Sequence, residues 1–328
     1  MTDVETSIAA SRPVPLTAEG PDGADAPGAR QRSNVTRVVS AETPLWERLR
    51  SIWSRRELLV RMVRTEISVK YKNSALGLMW SMLNPALNLA VYFLVFQVIL
   101  RNGMPRFVIF LFSGLLLWNL FQVGVQTGTS VVVANAGLVK KVNFPREILS
   151  LASVGSAFYF FLFQCIVMVV FMVVLHSAPA WNYLPLCLLA LAGTLVFAAA
   201  LGLFLSAVNV YLRDTQHLVE VLMTAWFWAC PIVYQYQQNI GNHLTGKKAW
   251  LYFLNPLVAP VLTFQRAIYA QVTVQSTNTP SSTIDVLPHH GMAWYATLDF
   301  GVLLGSAVLF LVALGIFGRL EGNFAEEL

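Results

Sequence analysis

Residues able to do chemistry are few in this chain. Gly241-Asn242-His243-Leu244-Thr245-Gly246-Lys247-Lys248 has the GxxxxGK spacing of a phosphate-cradling loop. Lys248 stands where a Ser or Thr hydroxyl must ligate magnesium, and no strand pattern precedes the segment. The match is therefore coincidental, and the chain is expected to hydrolyse no nucleotide itself. No HExxH or GxSxG pattern occurs. Cys165, Cys187 and Cys230 lie inside apolar stretches, away from CxxC spacing and histidine clusters, so they read as packing residues and not as metal ligands or disulfides. Catalytic and metal-binding residues are both expected to be absent.

A different kind of site occupies residues 135–147. Asn135-Ala136-Gly137-Leu138-Val139-Lys140-Lys141-Val142-Asn143-Phe144-Pro145-Arg146-Glu147 joins a compact apolar face to a basic pair and ends on a proline. Pro145 suits the first turn of a helix, and Glu147 sits where that helix's N-terminal dipole favours an acid. Val142 and Phe144 would project as anchors, making the segment a short amphipathic helix offered for docking.

The elements that hold such a segment are written in the composition. The 328 residues are 56% hydrophobic and 12% charged, against about 25% charged in ordinary soluble domains. That excess of apolar surface needs a lipid solvent. The net charge of +5 is not a nucleic-acid signal, because the basic residues crowd before residue 75 and between apolar runs. The expected fold is all-α and membrane-integral, with six transmembrane helices at about 76–100, 107–127, 148–175, 183–210, 221–236 and 295–317. The first run alone would reach about 37 Å as a helix, enough to cross a core of about 30 Å with tilt.

Around these spans, residues 1–40 are polar and rich in Pro, Ala, Gly and Asp, and are expected to form a disordered cytoplasmic tail. Residues 41–75 are expected to form an amphipathic interface region, and 76–328 the six-span membrane domain. Between 44 and 72, Trp46, Arg50, Trp53 and Arg56 alternate aromatic rings with guanidinium groups at helical spacing, as expected of a helix lying on anionic lipid. The 237–294 loop holds a second apolar patch, interrupted by Pro256 and Pro260, and is expected to form re-entrant helices between the fifth and sixth spans. With the N-terminus inside, 17 of the 22 basic residues fall on the cytoplasmic side. Both termini are thus expected to be cytoplasmic, in a multi-pass plasma (inner) membrane protein.

Four ordered motifs carry a family resemblance. They are Val69-Lys70-Tyr71-Lys72-Asn73-Ser74-Ala75-Leu76-Gly77-Leu78-Met79-Trp80-Ser81-Met82-Leu83-Asn84-Pro85, the 135–147 segment, Tyr211-Leu212-Arg213-Asp214-Thr215-Gln216-His217-Leu218 with Pro231-Ile232-Val233-Tyr234, and Leu254-Asn255-Pro256-Leu257. Together, over about residues 45–328, they resemble the ABC-2 permeases that export polysaccharides and polyol phosphates such as O-antigen, teichoic acid or galactan. The resemblance implies a homodimer with two cytoplasmic ATPase subunits, which hold the ATP and magnesium that this chain lacks. It implies that Gly137 to Glu147 is the coupling helix seated in an ATPase cleft, and that residues 44–60 are the interface helix. It also implies that the first and fifth spans line a path, and that the loop carrying Asn255, Pro256 and Pro260 is an outer gate.

A glycan has apolar CH faces and hydroxyl rims, so its conduit needs aromatic platforms and neutral hydrogen-bonding groups. Trp80, Asn84 and Tyr92 on the first span and Trp226 and Tyr234 on the fifth are the expected path residues; 80, 84 and 88 share one helix face. The expected function is export of a lipid-linked polysaccharide from the cytoplasmic leaflet. The Ala and Val richness, typical of a high-GC bacterium, makes galactan a plausible cargo. Two other readings fit the six-span plan: an ABC-2 exporter of drugs or small lipids, and a passive channel or membrane scaffold. Expected partners are a second copy, two ATPase subunits, membrane lipids and the glycan, with no nucleic acid.

Overall fold

The computed structural model describes residues 44–72, 80–142, 144–241, 243, 251–276 and 283–328. The expected tail, residues 1–40, and most of the 241–248 loop lie outside the described residues.

Helices α1 (Leu45–Ser54) and α2 (Arg56–Tyr71) are separated by a break at Arg55. Helix α3 (Trp80–Phe93) runs into a π-helical turn, Leu94–Ile99. Then come α4 (Phe107–Ala134), the short α5 (Ala136–Lys141), α6 (Glu147–Val174), α7 (Leu184–Tyr211) and α8 (Thr215–Trp228). Helix α9 (Val258–Ile268) leads to an antiparallel hairpin of β1 (Thr273–Gln275) and β2 (Thr283–Asp285), in which Val274 faces Ile284. The long α10 (Met292–Leu320) and the terminal turn α11 (Phe324–Glu327) follow.

The six-span expectation is corrected. Among the described residues four helices are long and apolar enough to cross a membrane: Phe107–Ala134, Glu147–Val174, Trp181–Tyr211 and Met292–Asn323. Among the described residues of the expected first span, the apolar part of the helix is Pro85–Ile99, about 22 Å long against a core of about 30 Å. Its end is set at Arg101, whose φ of 48° is left-handed. In the expected fifth span, α8 starts six residues earlier than residue 221 and stops at Trp228 after 14 residues, about 21 Å. Pro231 follows, and a proline lacks the N–H that would continue the helix.

The expected re-entrant helices are corrected too. Helix α9 packs between α4 and α7 with all but one of its side chains buried, and is followed by the hairpin. Pro260 sits at its third position, where the missing N–H costs no helical hydrogen bond.

Helix α4 is the centre of the bundle, touching α6, α7 and α9. One apolar core surrounds it, including Phe110, Phe121, Phe197, Leu262 and Tyr269. A second gathers Val139, Phe144, Leu149, Leu203, Phe317 and Phe324 at the end of the bundle where α5 lies.

In lipid the hydrophobic effect does not press helices together, so close approach by small residues must. Gly124 and Gly128, one turn apart on α4, meet Gly202 of α7. A Cβ on Gly128 would lie 3.2 Å from the Gly202 Cα and 3.2 Å from Ser150 Oγ of α6. The obstacle on one side is backbone, which cannot turn aside. We therefore expect Gly128→Val to cost about 1–3 kcal/mol. A lower melting temperature in detergent, with Gly137→Val (open space at its Cβ) as an unshifted control, is the measurement.

Candidate functional site

At the α5 end, three segments far apart in sequence meet through charge. Arg48 Nη1 of α1 donates to Glu147 Oε1 at the start of α6 (2.6 Å) and to Glu321 Oε2 after α10 (3.2 Å). Arg146 Nη1 donates to the Glu321 carbonyl at 2.6 Å, its Nε lies 3.7 Å from the Glu321 carboxylate, and its guanidinium covers the Phe324 ring. Tyr211 at the end of α7 donates from its hydroxyl to the Leu320 carbonyl at 2.9 Å. The side chain of Glu147 is only 3% exposed. Removing a partner from a buried pair strands a charge.

The residues of the 135–147 segment divide by direction. Gly137, Lys140, Lys141 and Val142 are exposed, Leu138 and Pro145 half-buried, and Val139 is buried. Phe144, expected as an anchor beside Val142, is instead 6% exposed and packs in the second core. Its aromatic surface is worth more among Leu149 and Phe324 than in water. Arg146 and Glu147 are likewise engaged internally. Asn143 lies outside the described residues.

Trp46 and Trp53 of α1 are both 72% exposed, Arg50 is exposed, and Arg56 approaches the Trp53 ring at 6.0 Å. This is a free surface of rings and cations. Behind it, Ser153 Oγ of α6 donates to Glu66 Oε1 of α2 at 2.9 Å, and Lys70 Nζ sits 4.6 Å from the Phe160 ring. Burial raises the Glu66 carboxyl above the usual range and lowers the Lys70 ammonium below its own, so each charged form is held at some cost.

A second site lies between α3, α4 and α8. A cavity of about 180 Å³ is lined by Asn88 and Tyr92 of α3, Trp118, Asn119 and Gln122 of α4, and Thr224, Phe227 and Trp228 of α8, among others. Tyr92 stacks on Phe227 at 5.4 Å, and Trp118 meets the same ring edge-on at 5.5 Å. Trp118 Nε1 donates to Gln122 Oε1 (2.8 Å) and Asn119 Nδ2 to Gln164 Oε1 (3.1 Å), which fixes the amides in place. Aromatic walls with neutral donors and acceptors can hold a sugar ring without a fixed charge.

Of the expected path residues, Tyr92 lines this cavity. Trp80 is 44% exposed and does not line it, and the side chain of Asn84 lies outside the described residues. Trp226 points the other way, into an apolar groove of about 690 Å³ between α7, α8 and residues 254–256. The groove is walled by Leu201, Leu205, Leu222 and Leu254 in particular. Met223 borders both spaces, so α8 carries a polar cavity on one face and an apolar groove on the other.

Tyr234, Asn255 and the buried Gln265 serve the break after α8. Tyr234 donates from its hydroxyl to the Trp228 carbonyl (3.2 Å), Asn255 Nδ2 to that of Ala229 (3.4 Å), and Gln265 Nε2 to that of Pro231 (2.7 Å). Asn255 also accepts from Trp226 Nε1 at 2.9 Å and from the Leu257 amide. Pro256 lines the apolar groove with Asn255, and Pro260 is buried.

Sequence reasoning missed Trp118, Asn119 and Gln122. Their signal was present, since polar residues three and four apart inside an apolar helix share a face. Asp299, fully buried in α10, accepts from Thr263 Oγ1 at 2.7 Å. Glu220 of α8 lies 3.8 Å from His217. Among the described residues no cluster of three or more His, Cys, Asp or Glu side chains is built for a metal.

Among the described residues, four long apolar helices, an amphipathic helix pair and a polar cleft between α3, α4 and α8 define a multi-pass membrane protein. Residues 57–269 match the family described as ABC-2 type transporter. The chain is 33% identical over 221 residues to the O-antigen export system permease protein RfbA of Myxococcus xanthus, covering 67% of this chain and 84% of that protein. It is 28% identical to an RfbA of Klebsiella pneumoniae over 83% of this chain and 95% of the relative. The polysialic acid transport protein KpsM of Escherichia coli is 24% identical, over 62% of this chain and 78% of KpsM. The chain belongs to the ABC-2 type transporter family, as a permease subunit in the inner membrane.

Breaking the ion-paired end should be costly. Arg48→Leu is expected to lose about 3–5 kcal/mol by stranding the buried Glu147 carboxylate, Glu147→Leu to lose less because Arg48 keeps Glu321, and Arg48→Leu with Glu147→Leu to recover most of the first loss. Thermal melting of the three variants checks this, and equal losses in single and double variants would refute it.

Proposed function

We propose that this chain is the membrane half of an ATP-driven exporter of lipid-linked polysaccharide, acting with a second copy of itself and two separate ATPase subunits. The observation that carries the reading is the neutral, aromatic-walled cavity between α3, α4 and α8. Charged walls would hold a polymer too tightly to let it slide, whereas Asn88, Asn119, Gln122 and Thr224 offer exchangeable hydrogen bonds beside the faces of Tyr92 and Trp118. The apolar groove across α8 supports a cargo that is half sugar and half lipid. The relatives' names, O-antigen export and polysialic acid transport, support a polysaccharide as the class. ATP and magnesium then belong to the ATPase partners.

The exposed edge of α5, namely Gly137, Lys140, Lys141 and Val142, is the surface proposed for the ATPase; Val139 and Phe144 lock it to the helices beneath. The basic end of the bundle carries α1, α2 and both chain termini of the membrane domain on the cytoplasmic side. Trp46, Arg50, Trp53 and Arg56 lie at the lipid surface there. A seam for the second copy is supplied by α3 and the π-helical turn after it, where Leu87, Val91, Leu94 and Val98 are exposed at alternating spacings of four and three.

Two experiments test this. Asn119→Leu should lower polysaccharide export about five-fold by removing one amide from the cavity while leaving the melting temperature within a degree or two. Unchanged export would remove the cavity from the path. Separately, Lys140→Glu with Lys141→Glu should abolish co-purification of the ATPase and ATP-dependent export but not membrane insertion. A double variant that still carries the ATPase would sink the docking surface.

A further inference from the structure

The far end of the bundle holds a second polar space that the export reading does not use. A cavity of about 550 Å³ opens between the loop before α4 and the hairpin, lined by Pro105, Gln271, Thr273, Val274, Gln275 and Ser276. It lies opposite α5, since α4 and α7 both begin beside it. Tyr269 at the end of α9 donates from its hydroxyl to the Pro105 carbonyl (2.9 Å), and the Ala180 amide donates to the Ala267 carbonyl (2.8 Å).

The walls are firmly held. Val274, Ile284, Val286 and Leu287 anchor the hairpin in the core, and the Val286 amide donates to the Val272 carbonyl at 2.8 Å. Tyr269, 1% exposed, meets Phe110 edge-on and fixes the opposite wall. At each wall a residue other than glycine is left-handed: Arg106 (φ 52°) follows Pro105, and Ala270 (φ 68°) precedes Gln271. Side chains with a Cβ adopt that conformation only where the surroundings impose it.

The lining is neutral but rich in hydrogen-bonding groups. Carboxamides of Gln271 and Gln275 and hydroxyls of Thr273 and Ser276 each donate and accept, which is what a sugar hydroxyl also does. Thr273 Oγ1 donates to Asp285 Oδ1 at 2.9 Å and lies 3.1 Å from His289 Nε2. Asp285 is only half-buried, and its Oδ1 also lies 3.6 Å from His289 Nε2, so Thr273 is held from the side of β2. The space is open on one side rather than enclosed, so a ligand would lie along it and not be engulfed.

We infer that this cavity is a second glycan site on the outer face, and that it receives a neutral, hydroxyl-rich segment of the chain as it leaves the bundle. The inference rests on the export reading above, and adds to it a place where emerging polymer is held.

The test uses the full-length protein in lipid nanodiscs and a neutral β-linked galactotetraose, with an acidic sialic acid oligomer as comparison, read by saturation-transfer NMR and calorimetry. The tetrasaccharide should bind the wild-type protein, and Gln271→Ala with Gln275→Ala should weaken it about ten-fold at unchanged melting temperature. If that double variant melts early, Gln275→Glu decides, because it keeps the shape while adding a charge and should also lose the neutral ligand. Asn119→Leu, in the other cavity, should leave this binding intact. Absence of binding to the wild type, full binding by the folded cavity variants, or preference for the acidic oligomer would each overturn the site. Polysaccharide export by the wild-type complex, measured separately, decides the export reading, so the two can fail independently.

Discussion

Gly128 and Gly202 bring the backbones of α4 and α7 so close that a single added carbon would collide. Everything else in the bundle depends on that approach. Lipid gives no reward for hiding one leucine against another, so the helices are held by dispersion at small-residue contacts and by the polar groups they bury. With α7 drawn against α4, Ser150 of α6 fits beside both glycines, and α9 closes over α4 and α7. Asn209, two turns beyond Gly202 on α7, then donates to the Thr129 carbonyl of α4 (3.2 Å), tying the same pair of helices again. The outward faces are free to be purely apolar, as the exposed Ile166, Val170 and Val173 of α6 and Leu304, Val308 and Leu311 of α10 are.

The ion-paired end answers a different constraint. An amphipathic helix on a membrane surface is held there by its apolar face alone and has no fixed register against the bundle. Arg48 supplies one, because a single guanidinium reaches Glu147 and Glu321 together. The Phe144 ring below and the Arg146 pair beside it mean that α5 moves only with the N-terminus of α6, α1 and the chain after α10.

How much of this was legible in the sequence follows from which signals are local. Hydropathy found the four long helices to within a few residues, apart from the C-terminal end of α4, because twenty apolar residues need lipid whatever surrounds them. It overcounted where an apolar run does not stay helical. The run at 76–100 includes a π turn before Arg101, and the run at 221–236 contains Pro231, whose consequence depends on which side chains receive the freed carbonyls. The direction of Phe144 was unreadable for the same reason: a short amphipathic segment has two apolar residues, and only the second core decides that Phe144 and not Val142 fills it. The cavity was half legible. Tyr92 was found on its own helix, but Trp118 and Asn119 belong to a helix whose mean apolarity hid them.

The break after Trp228 shows why a helix can stop inside a membrane protein. Backbone carbonyls freed by the break need donors wherever the protein covers them. Tyr234, Asn255 and Gln265 donate to the carbonyls of residues 228, 229 and 231. These donors come from three different segments, and two of them tie α8 to residues beyond 250. The position of α8 is thereby linked to α9, and through Tyr269 to the loop at Pro105. A shift of α8 that widened its polar cavity would strain these bonds first. The same residues that make the break tolerable thus join the cavity inside the bundle to the hairpin end, without a continuous helix between them.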